Sequence, residues 1–177
     1  MLRTESIFHL ENDPNLFEPL VKYLQEETIR LGVCEDSDRI RVGVALEEAL
    51  ANALYHGNLE IGSELRGTRE YRALVASRSG QPPYRERRIE VEAKISRREA
   101  VFAIRDEGAG FDPNSLPDPT DPSNMERANG RGIFLMRAFM DEVHYNSVGN
   151  VVVMVKRRQA EEPTLREYAS RQLVAAR

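Results

Sequence analysis

The sequence predicts an α+β domain, a two-layer sandwich in which helices pack on one face of a β-sheet. Three observations support this class: two helical stretches come first, strand-like segments follow, and a single late helix interrupts the strands. The 177 residues suit one domain, and a hydrophobic fraction of 41% is enough for one core.

The first 60 residues contain the two early helices. Residues 5–10 predict a short strand. A helix follows from Pro14 to Gly32, because proline suits the first turn and glycine the end. A second helix begins near the acidic residues 36–38, which favour a helix N-terminus, and stops at Gly57.

Two polar segments and a charged tail interrupt or follow the regular elements. Residues 62–88 carry several glycines and prolines, which predicts an insertion with a short helix around residues 70–76. Residues 111–129 contain four prolines and form a long loop, which we interpret as a lid. A single domain is therefore expected over residues 1–158, with a charged tail over 159–177.

Four later segments are expected to build most of the sheet. Residues 89–95 alternate apolar and charged side chains, which indicates a strand with one wet face. Residues 101–104 are apolar on both faces, so this strand is expected to be central. Residues 142–146 and 151–155 predict two further strands joined at the Gly149-Asn150 turn.

Composition excludes several classes of function. The net charge of -4 and the lack of a basic stripe argue against direct nucleic-acid binding. No stretch approaches the roughly 20 apolar residues that cross a bilayer, and the N-terminus lacks a signal-peptide core, so a cytoplasmic protein is expected. Cys34 is the only cysteine, which rules out an intrachain disulfide or a thiolate zinc cluster.

The second helix carries a polar stripe on an otherwise apolar surface. Glu48, Asn52 and His56 recur every four residues and so lie on one line of the helix. Asn52 could offer an amide oxygen to Mg²⁺, and Glu48 could orient or deprotonate a nucleophile. His56 could touch a phosphate or help to cap the helix. The alternative is that this stripe merely faces solvent. Glu47 points about 100° away from Glu48, so the two cannot both face one ligand, and Glu48 is favoured because it aligns with Asn52.

A second motif, DEGAG, begins where an apolar strand ends. The carboxylate of Asp106 can accept a hydrogen bond from an exocyclic amine such as that of adenine. Gly108 and Gly110 permit positive φ and a close approach of a planar base to the backbone. The alternative is a tight turn that needs small residues and nothing else.

A third motif leads into the helix predicted over residues 133–140. Gly130, Arg131 and Gly132 precede Ile133, so the free N–H groups of the first turn form a ready anion site. Arg131 can add a charge-assisted contact to a phosphate. An ordinary hinge is the alternative. In this order, the three motifs predict a nucleotide site built without a P-loop, since no G-x-x-x-x-G-K-[ST] string occurs.

These motifs resemble those of the GHKL ATPase superfamily, in particular the small anti-sigma-factor serine kinases. EALAN with the following LYHGN resembles their N box, DEGAG their first glycine box, and GRGIFLMRAFMDEV their second. The resemblance extends over residues 5–158. It implies a mixed sheet with helices on one face, ATP with Mg²⁺ as ligands, and a lid at 111–129. By resemblance, Glu48 is the catalytic base, Asn52 coordinates the metal and Asp106 accepts from adenine.

The resemblance also implies partners. Kinases of this kind phosphorylate a serine on an anti-anti-sigma protein, otherwise sequester a sigma factor, and are commonly homodimers. A non-catalytic module that uses ATP to switch between protein partners is the alternative; a general ATPase is a third. The chain departs from the family pattern at Glu107, a charge beside the site, at Gly149-Asn150 instead of Gly-Thr, and in the length of segment 62–88.

Overall fold

The computed structural model describes residues 2–115 and 131–158, which form a five-stranded sheet and four α-helices. The strands are β1 (Arg3–Leu10), β2 (Ile89–Ser96), β3 (Glu99–Arg105), β4 (Glu142–Tyr145) and β5 (Val151–Arg157). The helices are α1 (Phe17–Arg30), α2 (Asp36–Ala51), α3 (Arg69–Ser79) and α4 (Arg131–Phe139). The predicted α+β class is confirmed.

The sheet has the order β1-β2-β3-β5-β4, and β3 is central as its two apolar faces predict. Every strand pairing in the described residues is antiparallel. The mixed sheet implied by the resemblance is therefore wrong for this part of the chain. Short turns join β2 to β3 and β4 to β5. Because a short turn reverses the chain direction, each of these pairs must be antiparallel.

The core lies between the sheet and helices α1, α2 and α4. Ile89, Val91, Ala93 and Ile95 of β2 are buried, whereas the intervening side chains are partly or fully exposed. On the helical side α2 is in contact with both α1 and α4 and buries most of its apolar residues, for example Val42, Leu46 and Leu50 at 0% exposure, whereas Ile40 is exposed. The buried face of β2 and the apolar residues of α2 thus belong to one core.

The second helix changes its geometry where the polar stripe continues. Its α-helical part ends at Ala51, and Asn52–Asn58 form a π-helical turn. The N–H of Leu59 donates to the carbonyl of Leu54, five residues back, at 2.8 Å. The prediction of one continuous helix to Gly57 is correct in extent but wrong in type. Such wide turns are rare and occur often at functional sites.

The inserted segment contains the predicted short helix. This helix, α3, has Thr68 as its N-cap, whose hydroxyl accepts from the N–H of Tyr71 at 3.0 Å. Within residues 2–115 and 131–158, no helix combines the length and hydropathy needed to cross a bilayer. Most of the predicted lid (116–129) and the tail from residue 159 onward lie outside the described residues.

Candidate functional site

A cleft of about 1270 Å³ opens between the π-helical turn, the carboxyl end of β3, the start of β5 and the N-terminus of α4. Its volume is at or above the upper end of the range usual for small-molecule sites. Six of the residues predicted from the motifs line it: Asn52, His56, Asp106, Gly110, Gly132 and Ile133. The structure therefore brings parts of all three motifs to one cavity.

The N-terminus of α4 packs against the polar stripe of α2. A Cβ atom built on Gly132 would lie 2.6 Å from Oε2 of Glu48 and 3.6 Å from Nδ2 of Asn52. A larger residue at 132 would force the Glu48 carboxylate to move. Glu48 is half-buried against Gly132 and is not among the residues that line the cleft, whereas Asn52 is. Glu47 is exposed, on a different side of the helix.

The remaining residues of the third motif are placed less centrally. Arg131 is the first residue of α4; it is exposed and does not line the cleft. Gly130 lies outside the described residues. Ile133 is half-buried and lines the cleft wall. Of the residues predicted to form an anion site at this helix start, Gly132 and Ile133 therefore line the cleft.

His56 has a hydrogen-bond partner within the chain. Its Nδ1 lies 2.7 Å from the carbonyl oxygen of Ile61. Because a carbonyl only accepts, Nδ1 carries the proton, and Nε2 is an acceptor in the neutral ring. His56 thus supports the chain after the π-helical turn, and it is also exposed on the cleft wall.

The carboxylate of Asp106 is held in a tight turn at the end of β3. Its Oδ1 accepts from the N–H of Gly108 at 2.9 Å. The backbone N–H of Asp106 donates to the carbonyl of Asn150 at 3.0 Å, and the Asn150 amide donates back to the Asp106 carbonyl at 3.3 Å. One carboxylate oxygen is therefore committed to the turn, which leaves the other for a ligand.

Burial raises the pKa of Asp106 from 3.8 to about 6. The hydrogen bond from Gly108 and the positive charge of Arg87 act in the opposite direction. Loss of hydration disfavours the charged form of a carboxyl, which is the reason for the upward shift. A half-buried carboxyl of raised pKa on the wall of a cleft is typical of a functional site.

Glycine at 108 is required for packing and not for a left-handed backbone. Gly108 is not among the glycines with positive φ, so that part of the prediction is wrong. A Cβ atom there would lie 2.3 Å from the carbonyl oxygen of Gly57, and one on Gly57 would lie 2.3 Å from Cγ of Asp106. The Asp106 turn therefore rests directly on the end of the π-helical turn.

Gly110 has the positive φ that the sequence predicts, at +76°. A Cβ atom on Gly110 would lie 2.1 Å from the carbonyl oxygen of Val148, which itself accepts from the N–H of Phe111 at 3.0 Å. Gly149, with φ of +81°, is packed equally tightly against Phe111. The first residues of the predicted lid are thus anchored on the turn before β5.

Replacing Gly110 by alanine is expected to lower the free energy of unfolding by about 3 kcal/mol or more, because backbone strain and a clash add together. Gly67 is the matched control: its φ is +84°, but a Cβ atom there meets nothing within 4 Å. Gly67→Ala should cost only the strain, about 1 kcal/mol. Urea unfolding of both variants measures the difference, and equal losses would show that the contact with Val148 is unimportant.

The side chain of Glu107 is directed away from the cleft. Its Oε2 accepts from the backbone N–H of Arg88 at 2.6 Å, and Glu107 does not line the cavity. The extra negative charge noted in the sequence is therefore bound by the inserted segment. Asn150, which stands where relatives have threonine, lines the cleft and holds the Asp106 backbone through its amide.

A comparison with protein families matches residues 10–156 to the histidine kinase-like ATPase domain. The match covers most of the chain. The protein belongs to this family. A search of curated proteins returns no significant match. Membership indicates an ATP-binding domain, in agreement with the superfamily resemblance of the three motifs.

The cleft of this histidine kinase-like ATPase domain includes residues that no motif predicted. Four of them, Gly62, Ser63, Glu64 and Arg66, belong to the start of the inserted segment. Their polar residue types are those of any surface loop, so the sequence contains no signal for their place in the site. Segment 62–88 is therefore part of the cleft and not only an appendage.

Two aromatic rings form another unpredicted part of the wall. Tyr145 at the end of β4 and Phe111 pack edge to face, with ring centroids 5.1 Å apart. Burial raises the pKa of Tyr145 to about 12, so its hydroxyl stays neutral at physiological pH. These rings supply apolar surface of the kind that a planar base contacts.

The described residues contain no group of three or more His, Cys, Asp or Glu side chains arranged to hold a metal ion. Asn52 is the residue in this domain predicted to ligate Mg²⁺, and its amide is placed beside Gly132 on the cleft wall. Mg²⁺ commonly takes one or two protein oxygens and completes its shell with phosphate and water. A single amide oxygen is compatible with that pattern.

Proposed function

We propose that this protein is an ATP-dependent protein serine kinase of the anti-sigma-factor type. The observation that supports it best is the convergence of three motifs on one cleft, with a carboxylate at one end and a helix N-terminus at the other. Asp106 packs on Gly57, whereas Gly132 packs on Glu48 and Asn52. The two groups thus contact the helical segment at positions five to nine residues apart, which suits the ends of an elongated nucleotide.

The adenine end of the proposed site is the Asp106 turn. The carboxylate oxygen not engaged by Gly108 accepts from the exocyclic amine of adenine. The rings of Phe111 and Tyr145 offer apolar contact to the base. Gly57 lines the cleft beside Asp106, and its missing side chain lets the Asp106 carboxyl pack against it.

The phosphate end is the start of α4. Its first N–H groups and the positive end of the helix dipole favour a bound anion, and Arg131 adds a charge there. Asn52 contributes an amide oxygen to Mg²⁺, which neutralises charge on the transferred phosphoryl group when it is bound. No protein carboxylate cluster is needed for this role.

Glu48 acts as the general base in this proposal. A serine hydroxyl of the substrate protein attacks the γ-phosphorus, the bond between that phosphorus and the β,γ-bridging oxygen breaks, and ADP leaves. The hydroxyl proton passes to the carboxylate of Glu48. The half-buried position of Glu48 against Gly132 places this carboxylate beside the helix start where the phosphates are proposed to lie.

One observation favours the alternative, a non-catalytic module that binds ATP in order to switch protein partners. Asn52 and Asp106 line the cleft, but Glu48 does not. Nucleotide binding is therefore better supported than base catalysis. In either case we propose a homodimer that acts on a serine-bearing anti-anti-sigma protein and a sigma factor, with partners inferred from the superfamily resemblance.

The two functions are separated by phosphate transfer from ATP labelled at the γ-position. The protein is incubated with labelled ATP and with partner proteins purified from its own cells, and the labelled residue is identified by mass spectrometry. Label on a serine of a partner supports the kinase. Tight ATP binding measured by calorimetry, without label on any partner that the protein binds, would establish the switching module instead.

A further inference from the structure

The last part of segment 62–88 is fastened to the chain that follows the π-helical turn. Arg87 donates from Nη1 to the carbonyl of Asn58 at 2.7 Å and pairs with the carboxylate of Glu60 at 2.8 Å. The Arg87 guanidinium also lies over the ring of Tyr84, 5.1 Å from its centroid. Both polar contacts are made by one nitrogen, Nη1, while the flat guanidinium lies over the ring; the compact ammonium of lysine has no such plane.

A second arginine holds the same stretch. Arg78, on α3, donates to the carbonyls of Leu59 and Glu60 at 2.6 and 2.8 Å. Its guanidinium lies over the ring of Tyr84 too, also 5.1 Å from the centroid. Three consecutive carbonyls, those of Asn58–Glu60, are therefore bound by two side chains of the inserted segment. We call Asn58–Glu60 the clamped loop.

The clamped loop is joined to the Asp106 turn. The side chain of Asn58 is fully buried; its Oδ1 accepts from the N–H of Glu107 at 2.7 Å, and its amide donates to Asn12 at 2.8 Å. Gly57, the residue before Asn58, packs on the Asp106 side chain. Any movement of the Asn58 backbone must therefore be transmitted to the turn that presents Asp106.

We propose that Arg87 is a positioning residue for Asp106 that acts through the clamped loop, so that the inserted segment is a working part of the nucleotide site. The inference rests on the proposed adenine role of Asp106. It assigns a function to an insertion that the family resemblance leaves unexplained. The substrate contact remains with Asp106, and Arg87 itself does not line the cleft.

Electrostatics support the same link. Arg87 is the charged side chain that acts on Asp106 to hold its pKa below the value that burial alone would produce. Glu107 is turned away and accepts from Arg88. Loss of the Arg87 charge would also release the Glu60 carboxylate from its ion pair. The other charged or titratable groups on the cleft wall are His56, Glu60, Glu64, Arg66 and Tyr145.

The first test needs no nucleotide. The carboxyl ¹³C resonance of Asp106, identified by its absence in Asp106→Asn, is followed by NMR as pH is varied. Arg87→Gln should move the titration midpoint upward by about half a unit or more, because it removes the positive charge that lowers the pKa of Asp106. Arg78→Gln is the matched control, since it loosens the same loop and the same ring contact without removing the Arg87 charge. Its midpoint should stay close to that of the wild type.

The second test measures ATP affinity by calorimetry at pH 6.5. Arg87→Gln should weaken binding several-fold, because the loop is loosened and less Asp106 is ionised. Arg87→Lys keeps the charge but loses the flat guanidinium over Tyr84, so its titration midpoint should return toward the wild-type value while affinity stays reduced. Circular dichroism confirms that each variant is folded, and the lysine variant keeps the test valid if glutamine prevents folding.

The outcomes separate the two proposals. A wild-type protein that fails to bind ATP would refute the proposed function, although the NMR titration would still measure the link from Arg87 to Asp106. If ATP binds but Arg87→Gln changes neither the midpoint nor the affinity, the positioning role is refuted alone. An Arg87→Lys variant with wild-type ATP affinity would also overturn it, because the charge alone would then explain the effect of Arg87→Gln.

Discussion

Glu48→Gln is expected to lower the rate of phosphate transfer to the partner serine by roughly 10²- to 10⁴-fold, the usual contribution of a positioned base. Glutamine keeps the size of the side chain and its packing against Gly132, but it cannot take the hydroxyl proton. ATP affinity should change little, because Glu48 is not among the residues that line the cleft. Transfer rates and calorimetry on the same preparation measure both quantities.

Glu47→Gln is the control for this experiment. Glu47 has the same charge, neighbours Glu48 in the chain and is exposed on another side of α2. Its replacement should leave transfer unchanged, which excludes a general effect of net charge. A Glu48→Gln variant that transfers phosphate at the wild-type rate would remove Glu48 as the base, and the proposed kinase would then need another one.

Asp106→Asn is expected to weaken ATP binding by roughly 10- to 100-fold, which corresponds to about 1.5 to 3 kcal/mol for a hydrogen bond to a charged group. The single carbonyl oxygen of asparagine is needed by the Gly108 N–H, now bound by Oδ1. The amide NH₂ then points where the free carboxylate oxygen stood. A donor would face the donor amine of adenine, so the contact is lost although the shape is kept.

The pH dependence of wild-type binding follows from the same group. The pKa of Asp106 is about 6, so at pH 5 only about one molecule in eleven carries the ionised acceptor. ATP affinity should therefore rise by roughly tenfold from pH 5 to 7.5 in the wild type. The phosphates of ATP titrate in this range as well, so the contribution of Asp106 is the difference between the wild-type and Asp106→Asn curves.

The pH dependence of the free energy of unfolding gives an independent check. Its sign is opposite to that of the ATP affinity. Because the pKa of Asp106 is raised in the folded state, the folded protein binds more protons than the unfolded chain between pH 3.8 and about 6. The contribution of Asp106 to the free energy of unfolding therefore falls as pH rises through this window. Asp106→Asn should be at least as stable as the wild type at pH 7 without ATP. A destabilised variant would contradict the raised pKa of Asp106, and an unchanged ATP affinity would contradict the adenine assignment.

The sequence predicted the elements well where periodicity and burial act together. β2 alternates and β3 is apolar on both faces, and both occupy the positions that these patterns imply. The sequence did not predict where the type of helix changes. Nothing in NALYHGN distinguishes an α-helix from the π-helical turn at Asn52–Asn58, because the two differ by one residue in hydrogen-bond spacing.

The glycines of the site also differ in whether a local or a tertiary cause requires them to be glycine. The positive φ of Gly110 is a local property that a glycine-rich turn predicts. Gly108 and Gly132 are small for another reason: each lies against a distant segment, Gly108 against Gly57 and Gly132 against Glu48. A single sequence shows that the residue is glycine but cannot show which atom excludes a Cβ.

By itself the sequence determined the fold class and the chemical types available to a nucleotide site: a carboxylate, an amide, glycine turns and a helix start. The tertiary structure decided which of them share a wall, leaving Glu48 off it and bringing Gly62, Ser63, Glu64 and Arg66 onto it. It also joined Arg87 to Asp106 through a loop almost 50 residues earlier in the chain than Asp106. The reason is physical: side-chain types and periodicity are local properties, whereas contacts between distant segments depend on how the whole core packs.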